Sequence, residues 1–162
     1  MILLPFEKKG VHDLKTFNQA VGPFVAIDTG VLLEFLTGTE IGKKIDLLIF
    51  KNTFIISISV TPLTLIEIYY LIRRKSTTDR TKAIIRDLKR LVTEIPITEY
   101  LELIGEIKAE TALSLADSAI IALAEYREIP VIFKKEQEID KILKKAFSSR
   151  FLSKIVFIDD FI

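Results

Sequence analysis

Asp28, Glu67 and Asp117 each interrupt an apolar run, and an ionised carboxylate does not stay in such surroundings without a partner. Asp28 closes Phe24-Val25-Ala26-Ile27, Glu67 sits within Leu63-Thr64-Leu65-Ile66-Glu67-Ile68-Tyr69-Tyr70-Leu71-Ile72, and Asp117 opens onto Ala119-Ile120-Ile121-Ala122-Leu123-Ala124. Burying one such charge unpaired is strongly unfavourable or forces the group to take up a proton. Several acids gathered in one cleft are therefore best accounted for by a bound cation. The chain has no cysteine, and its one histidine, His12, lies in a polar N-terminal stretch. Hard oxygen donors alone select Mg2+ or Mn2+ rather than zinc. Such an ion, completed by water and phosphate, polarises a phosphodiester and activates an attacking water.

These acids are far apart in sequence, so the fold must bring them together. Phe24 to Ile27 has β character and is followed by helix-like segments to Leu36 and from Glu40 to Phe50. Thr53 to Val60 is rich in β-branched residues and reads as a buried strand. Thr61-Pro62 is a helix start, with Thr as N-cap and Pro in the first turn, and that helix should reach Arg74. Ile84, Ile85, Leu88, Leu91 and Val92 recur at helical spacing after the Ser76-Thr77-Thr78 break. A short strand from Ile95 to Ile97 and a helix from Glu99 to Ala109 follow. Ser114 to Asp117 has the form of a capping box opening a helix to Arg127. Val131 to Phe133, a helix from Gln137 to Ala146, and a strand from Ile155 to Ile158 complete the order. Strands alternating with helices give an α/β fold: three layers, α/β/α, around a central, mostly parallel sheet. In such a sheet ligands bind at the C-terminal edge of the strands, and all three acids map there. Asp28 and Asp117 also suit simple helix capping.

Length and composition suit one domain: 162 residues, 49% of them hydrophobic. Residues 1–22, bounded by Gly22-Pro23, read as an N-terminal extension, and 23–162 as the domain proper. No apolar stretch approaches the roughly 20 residues a membrane helix needs, and no secretory signal opens the chain, so a soluble, cytoplasmic protein is expected. The net charge of +1 hides a local bias, because Arg73 to Arg90 holds eight cations against Asp79 and Asp87. A phosphate-rich partner is compatible with that segment.

Ile27-Asp28-Thr29-Gly30-Val31-Leu32-Leu33, Thr61-Pro62-Leu63-Thr64-Leu65-Ile66-Glu67 and Leu115-Ala116-Asp117-Ser118-Ala119-Ile120-Ile121-Ala122-Leu123-Ala124 together resemble the successive motifs of PIN-domain nucleases. The resemblance covers roughly residues 24 to 158. It implies a Mg2+- or Mn2+-dependent endoribonuclease, in many members a VapC-type toxin paired with an antitoxin protein. Asp28 and Asp117 would then be the principal metal ligands and catalytic acids, Glu67 the third, and Thr29 a supporting hydroxyl beside the first. The family's usual Thr-x-Asp after the fourth strand is missing. Phe133-Lys134-Lys135-Glu136 stands there, so either Glu136 serves as the further metal ligand or a lysine replaces the acid. Arg73, Arg74, Lys134 and Lys135 are the cations expected to meet RNA.

The competing expectation is a catalytically weak PIN-like module that binds RNA or a protein, its metal site spoiled by Lys134 and Lys135. A haloacid-type phosphatase would need an acid where Gly30 stands, and a response-regulator receiver would need a paired acid and a lysine that are not convincingly placed. Asp159-Asp160 after the last strand read as a solvated terminus. The Tyr69-Tyr70 surface of the helix after the second strand suits a homodimer. Replacing Asp28 with Asn should abolish cleavage and leave thermal stability nearly unchanged.

Overall fold

The computed structural model describes residues 9–136, 139 and 155–162. A helix, α1 (Lys9–Val21), leads into β1 (Phe24–Ile27), α2 (Thr29–Thr37) and α3 (Glu40–Ile45), the last continued by a π-helical turn over Asp46–Phe50. Next come β2 (Ser57–Val60), α4 (Pro62–Arg73), α5 (Thr78–Leu88), β3 (Thr93–Glu94), α6 (Leu101–Glu110) and α7 (Leu115–Arg127). β4 (Val131–Phe133) and β5 (Ile155–Phe157) close the order. The five strands form one sheet in the order β3-β2-β1-β4-β5, with every neighbouring pair parallel. This is the expected α/β architecture.

The strand side chains show why both faces must be covered. Val25, Ile27, Ile58, Val60 and Ile132 point to one core, which takes in Val31 and Leu32 of α2 and Leu65 and Ile68 of α4. Ala26, Val131 and Phe133 point to the other, filled by α6 and the apolar run of α7. The two-residue alternation thus divides one sheet between two cores. No helix among the described residues is long and apolar enough to cross a membrane.

Two sequence expectations change in detail. The strand expected over Ile95–Ile97 lies earlier, at Thr93–Glu94, because Pro96 has no N–H for the ladder and a short 3-10 turn begins at Ile97. The expected strand from Thr53 is confined to Ser57–Val60, since Asn52 caps a turn by accepting from the Phe54 N–H. Within the expected N-terminal extension, Lys9–Val21 is helical, and Phe17 and Val21 on it are buried in the first core. Asn52 ties the helix down further by donating to the Asn18 side chain at 2.7 Å. The helix expected from Gln137 to Ala146 lies outside the described residues except for Ile139, which is buried in the second core.

The topology fixes where a ligand cleft opens. From β1 the chain moves outward to β2 and β3, then returns across the sheet to β4 and β5 on the other side. The strand order therefore reverses between β1 and β4, the usual position of the crevice in such sheets. The Asp28 N–H donates to the Ile132 carbonyl at 3.0 Å, closing the ladder at that rim.

Candidate metal centre

Asp28 is the first residue after β1 and the N-cap of α2, accepting from the Gly30 N–H at 2.9 Å. Capping and site-building therefore coincide in one side chain. It is only 6% exposed. Burial, then the negative charge of Asp117 and to a smaller extent that of Glu67, pushes its carboxyl up to about 7, against the opposing pull of the Gly30 and Thr29 N–H groups. A carboxyl raised by the charges of Asp117 and Glu67 lies within electrostatic reach of both.

Each of the other two acids is held by a neighbouring hydroxyl. Thr29, buried, donates its hydroxyl to Glu67 at 2.7 Å. Glu67 sits in the second turn of α4, whose start is fixed by Thr61 accepting from the Thr64 N–H. Ser114 caps α7 by accepting from the Asp117 N–H at 3.0 Å and donates its hydroxyl back to the Asp117 carboxylate at 2.7 Å. Among the described residues no three Asp, Glu or His side chains already stand together as an ion-holding group. Asp28 and Asp117 are each turned onto a hydrogen-bond donor of their own segment, and Glu67 onto the Thr29 hydroxyl of α2.

The rim opposite Asp28 is built by residues 134–136. A Cβ placed on Gly30 would lie 3.2 Å from Asp28 Oδ2, 3.6 Å from Glu136 Oε1 and 3.6 Å from Lys134 Cβ. Glu136 therefore reaches the same glycine as Asp28. The ammonium groups of the preceding lysines are engaged elsewhere: Lys134 Nζ pairs with Glu34, and Lys135 Nζ with Asp160. The Lys135 N–H donates to Asp159 at 2.6 Å, so the terminal acids expected to be merely solvated hold this loop.

Arg73 and Arg74 end α4 away from the acids. Arg73 donates to the Ser76 carbonyl at 2.9 Å, and the Arg74 guanidinium lies 5.0 Å from the centre of the Tyr70 ring. A groove of about 540 Å3 between α2, α4 and α5 is lined by Leu36, Leu71, Ile72, Lys75 and Arg80, and shares Glu34 with the acid rim. Sequence reasoning passed over Glu34. Its signal was available, because it interrupts Val31-Leu32-Leu33 and Phe35-Leu36 just as Glu67 interrupts α4.

A family model described as "PIN domain" matches residues 25–145. Among curated proteins, none matches the chain in sequence. The fold is similar to that of a DNA-bound VapBC from Salmonella typhimurium, with a TM-score of 0.60, 18% identity, and coverage of 83% of this chain and 97% of that one. It is also similar to a toxin-antitoxin complex from Klebsiella pneumoniae, at TM-score 0.55, 17% identity, and coverage of 71% and 89%. A third is Mycobacterium tuberculosis VapC20, described as a sarcin-ricin loop cleaving toxin, at TM-score 0.56, 15% identity, and coverage of 80% and 93%. With the reversal of strand order between β1 and β4 and the family match over most of its length, the chain belongs to the PIN domain family.

Proposed function

We propose that the chain is a Mg2+- or Mn2+-dependent endoribonuclease, the toxin of a toxin-antitoxin pair. The observation that carries this reading is Asp28, buried at the strand-order reversal and raised to about 7 by burial and by the charges of Asp117 and Glu67. A divalent cation would relieve the mutual repulsion of acids so placed beyond what the Gly30 and Thr29 N–H groups do. The donor set fits such an ion: Asp28, Asp117 and Glu67, with Glu136 at the facing loop, offer oxygen alone. Mg2+ keeps much of its water and takes only one or two protein carboxylates at a time, so a ready-made cage of three is not required. When bound, the ion supplies Lewis-acid stabilisation of a phosphodiester and activation of water.

The chain's own residues hold the acids. Gly30 N–H fixes the Asp28 carboxylate, Thr29 orients Glu67, and Ser114 orients Asp117. The exposed cations of α4 and α5 give an RNA strand phosphate partners. An antitoxin partner is supported by the folds of the toxin-antitoxin complexes to which this one is similar.

The test is incubation of purified chain with RNA and Mn2+, then with excess chelator, alongside Asp28→Asn. Cleavage that needs the metal and is lost in the variant supports the reading. Tight RNA binding without cleavage would instead favour a PIN-like binding module.

A further inference from the structure

Two adjacent lysines follow β4 at the rim of a cleft meant for a cation, and their charge would compete with it. Lys134 begins within 3.6 Å of a Cβ at Gly30, beside the Asp28 carboxylate. Its flexible four-carbon stem can carry the ammonium in more than one direction. In the structure it runs to Glu34 Oε1, with 28% of the Lys134 side chain and 17% of the Glu34 side chain exposed. The other Glu34 oxygen accepts from the Thr39 hydroxyl at 2.6 Å, so the acceptor is held at both ends. The Lys134 ammonium and the Thr39 hydroxyl keep Glu34 below the usual carboxylate range. Lys135 is gripped twice from the C-terminus, its N–H by Asp159 and its ammonium by Asp160.

We infer that Glu34 is a positioning residue, which together with Asp159 and Asp160 clamps residues 134–136, drawing both lysine charges off the acid cleft and leaving Glu136 against Gly30. This rests on the metal-dependent reading of the cleft. The clamp explains how a chain with two lysines at the place of a usual acid retains an anionic cleft. Three acids from two distant segments converge on two consecutive lysines, while Glu136, next in sequence, faces Gly30.

Mn2+ alone is the probe, titrated calorimetrically into the unaltered chain, Glu34→Gln, Lys134→Met and the double variant. Glu34→Gln should weaken Mn2+ binding about ten-fold or more, in the range seen when a group supporting a metal ligand is lost. Adding Lys134→Met should restore it to within about two-fold of Lys134→Met alone, because the lysine is the agent of the loss. A merely structural Glu34 would not be rescued in this way. Mn2+ binding by Glu34→Gln equal to that of the unaltered chain, or failure of the rescue, overturns the role of Glu34. A second arm needs no metal: Asp159→Ala should speed amide exchange at Lys135 about ten-fold by freeing its N–H, and unchanged exchange overturns the clamp. Absence of Mn2+ binding by the unaltered chain, with normal exchange at Lys135, overturns the metal-dependent function and with it the purpose assigned to Glu34.

Discussion

Thr29 donates its hydroxyl to Glu67 across 2.7 Å, joining the first turn of α2 to the second turn of α4. Both groups belong to elements that leave neighbouring parallel strands at the same edge, so this one contact sets the spacing of two of the acids. Thr29→Val keeps the shape and removes the donor. Loss of a hydrogen bond to a carboxylate lowers stability by about 1.5–3 kcal/mol, and a misoriented Glu67 should lower Mn2+-dependent cleavage by about 10–100-fold. Thr29→Ser retains the hydroxyl and should retain most activity. Equal rates for the Val and Ser variants would remove Thr29 from the site.

The Asp28 carboxyl makes stability depend on pH in an unusual direction. Unfolded, it titrates at its ordinary value of 3.8; folded, at about 7. Its contribution is fully present below about pH 4 and is lost as pH rises through 7, because the unfolded chain releases the proton first. The difference corresponds to roughly 3–4 kcal/mol at neutral pH. Asp28→Asn keeps an acceptor for the Gly30 N–H, and in chelator it should melt higher than the unaltered chain at pH 8 but not at pH 4. The sequence alone led to the expectation of nearly unchanged stability; the burial of Asp28 leads to this pH-dependent expectation beside it. Melting curves of both proteins from pH 4 to 8 check the sign, and parallel curves would show Asp28 to be solvated.

How much of this was legible in the sequence follows from the range of each signal. Asp28, Glu67 and Asp117 stand out because a charge inside an apolar run is a local contradiction, and the alternation of strands and helices then places them on one edge. Thr61-Pro62 and Ser114 to Asp117 announce their helix starts through capping chemistry that spans only three residues. What was hidden depends on pairing across the chain. Lys134 with Glu34 joins residues a hundred positions apart, and Asp159 with the Lys135 N–H joins a terminus to a loop. Neither has a periodic signature. The N-terminal helix was hidden for a different reason, since its buried Phe17 is matched by Phe161, which lies at the other end of the chain.

That pairing makes the N-terminal helix part of the core. Phe17 is fully buried and packs edge to face on Phe161, with ring centres 5.3 Å apart. Phe17→Ala should destabilise by about 3–5 kcal/mol, and removal of residues 1–22 should do at least as much by exposing the first core. Urea denaturation gives both values. A truncated chain as stable as the full one would make the helix a dispensable extension.

Gly30 and Gly42 separate site chemistry from packing. Gly30 lies in the first turn of α2 without a positive φ, so its backbone does not demand glycine, and Ala would favour the helix by up to about 1 kcal/mol. The added Cβ would stand 3.2 Å from Asp28 Oδ2 and 3.6 Å from Glu136 Oε1, so the Asp28 carboxylate must give way by a few tenths of an ångström. Gly30→Ala should therefore leave the melting temperature nearly unchanged and weaken Mn2+ binding and cleavage together. A Cβ on Gly42 would instead lie 2.0 Å from the backbone carbonyl oxygen of Glu34, where α3 crosses α2. Neither backbone can yield there, so Gly42→Ala should destabilise by about 1–3 kcal/mol or more. Thermal melts and Mn2+ titrations on the two variants distinguish the roles. If Gly30→Ala bound Mn2+ like the unaltered chain, Asp28 and Glu136 would not be the groups that meet the ion.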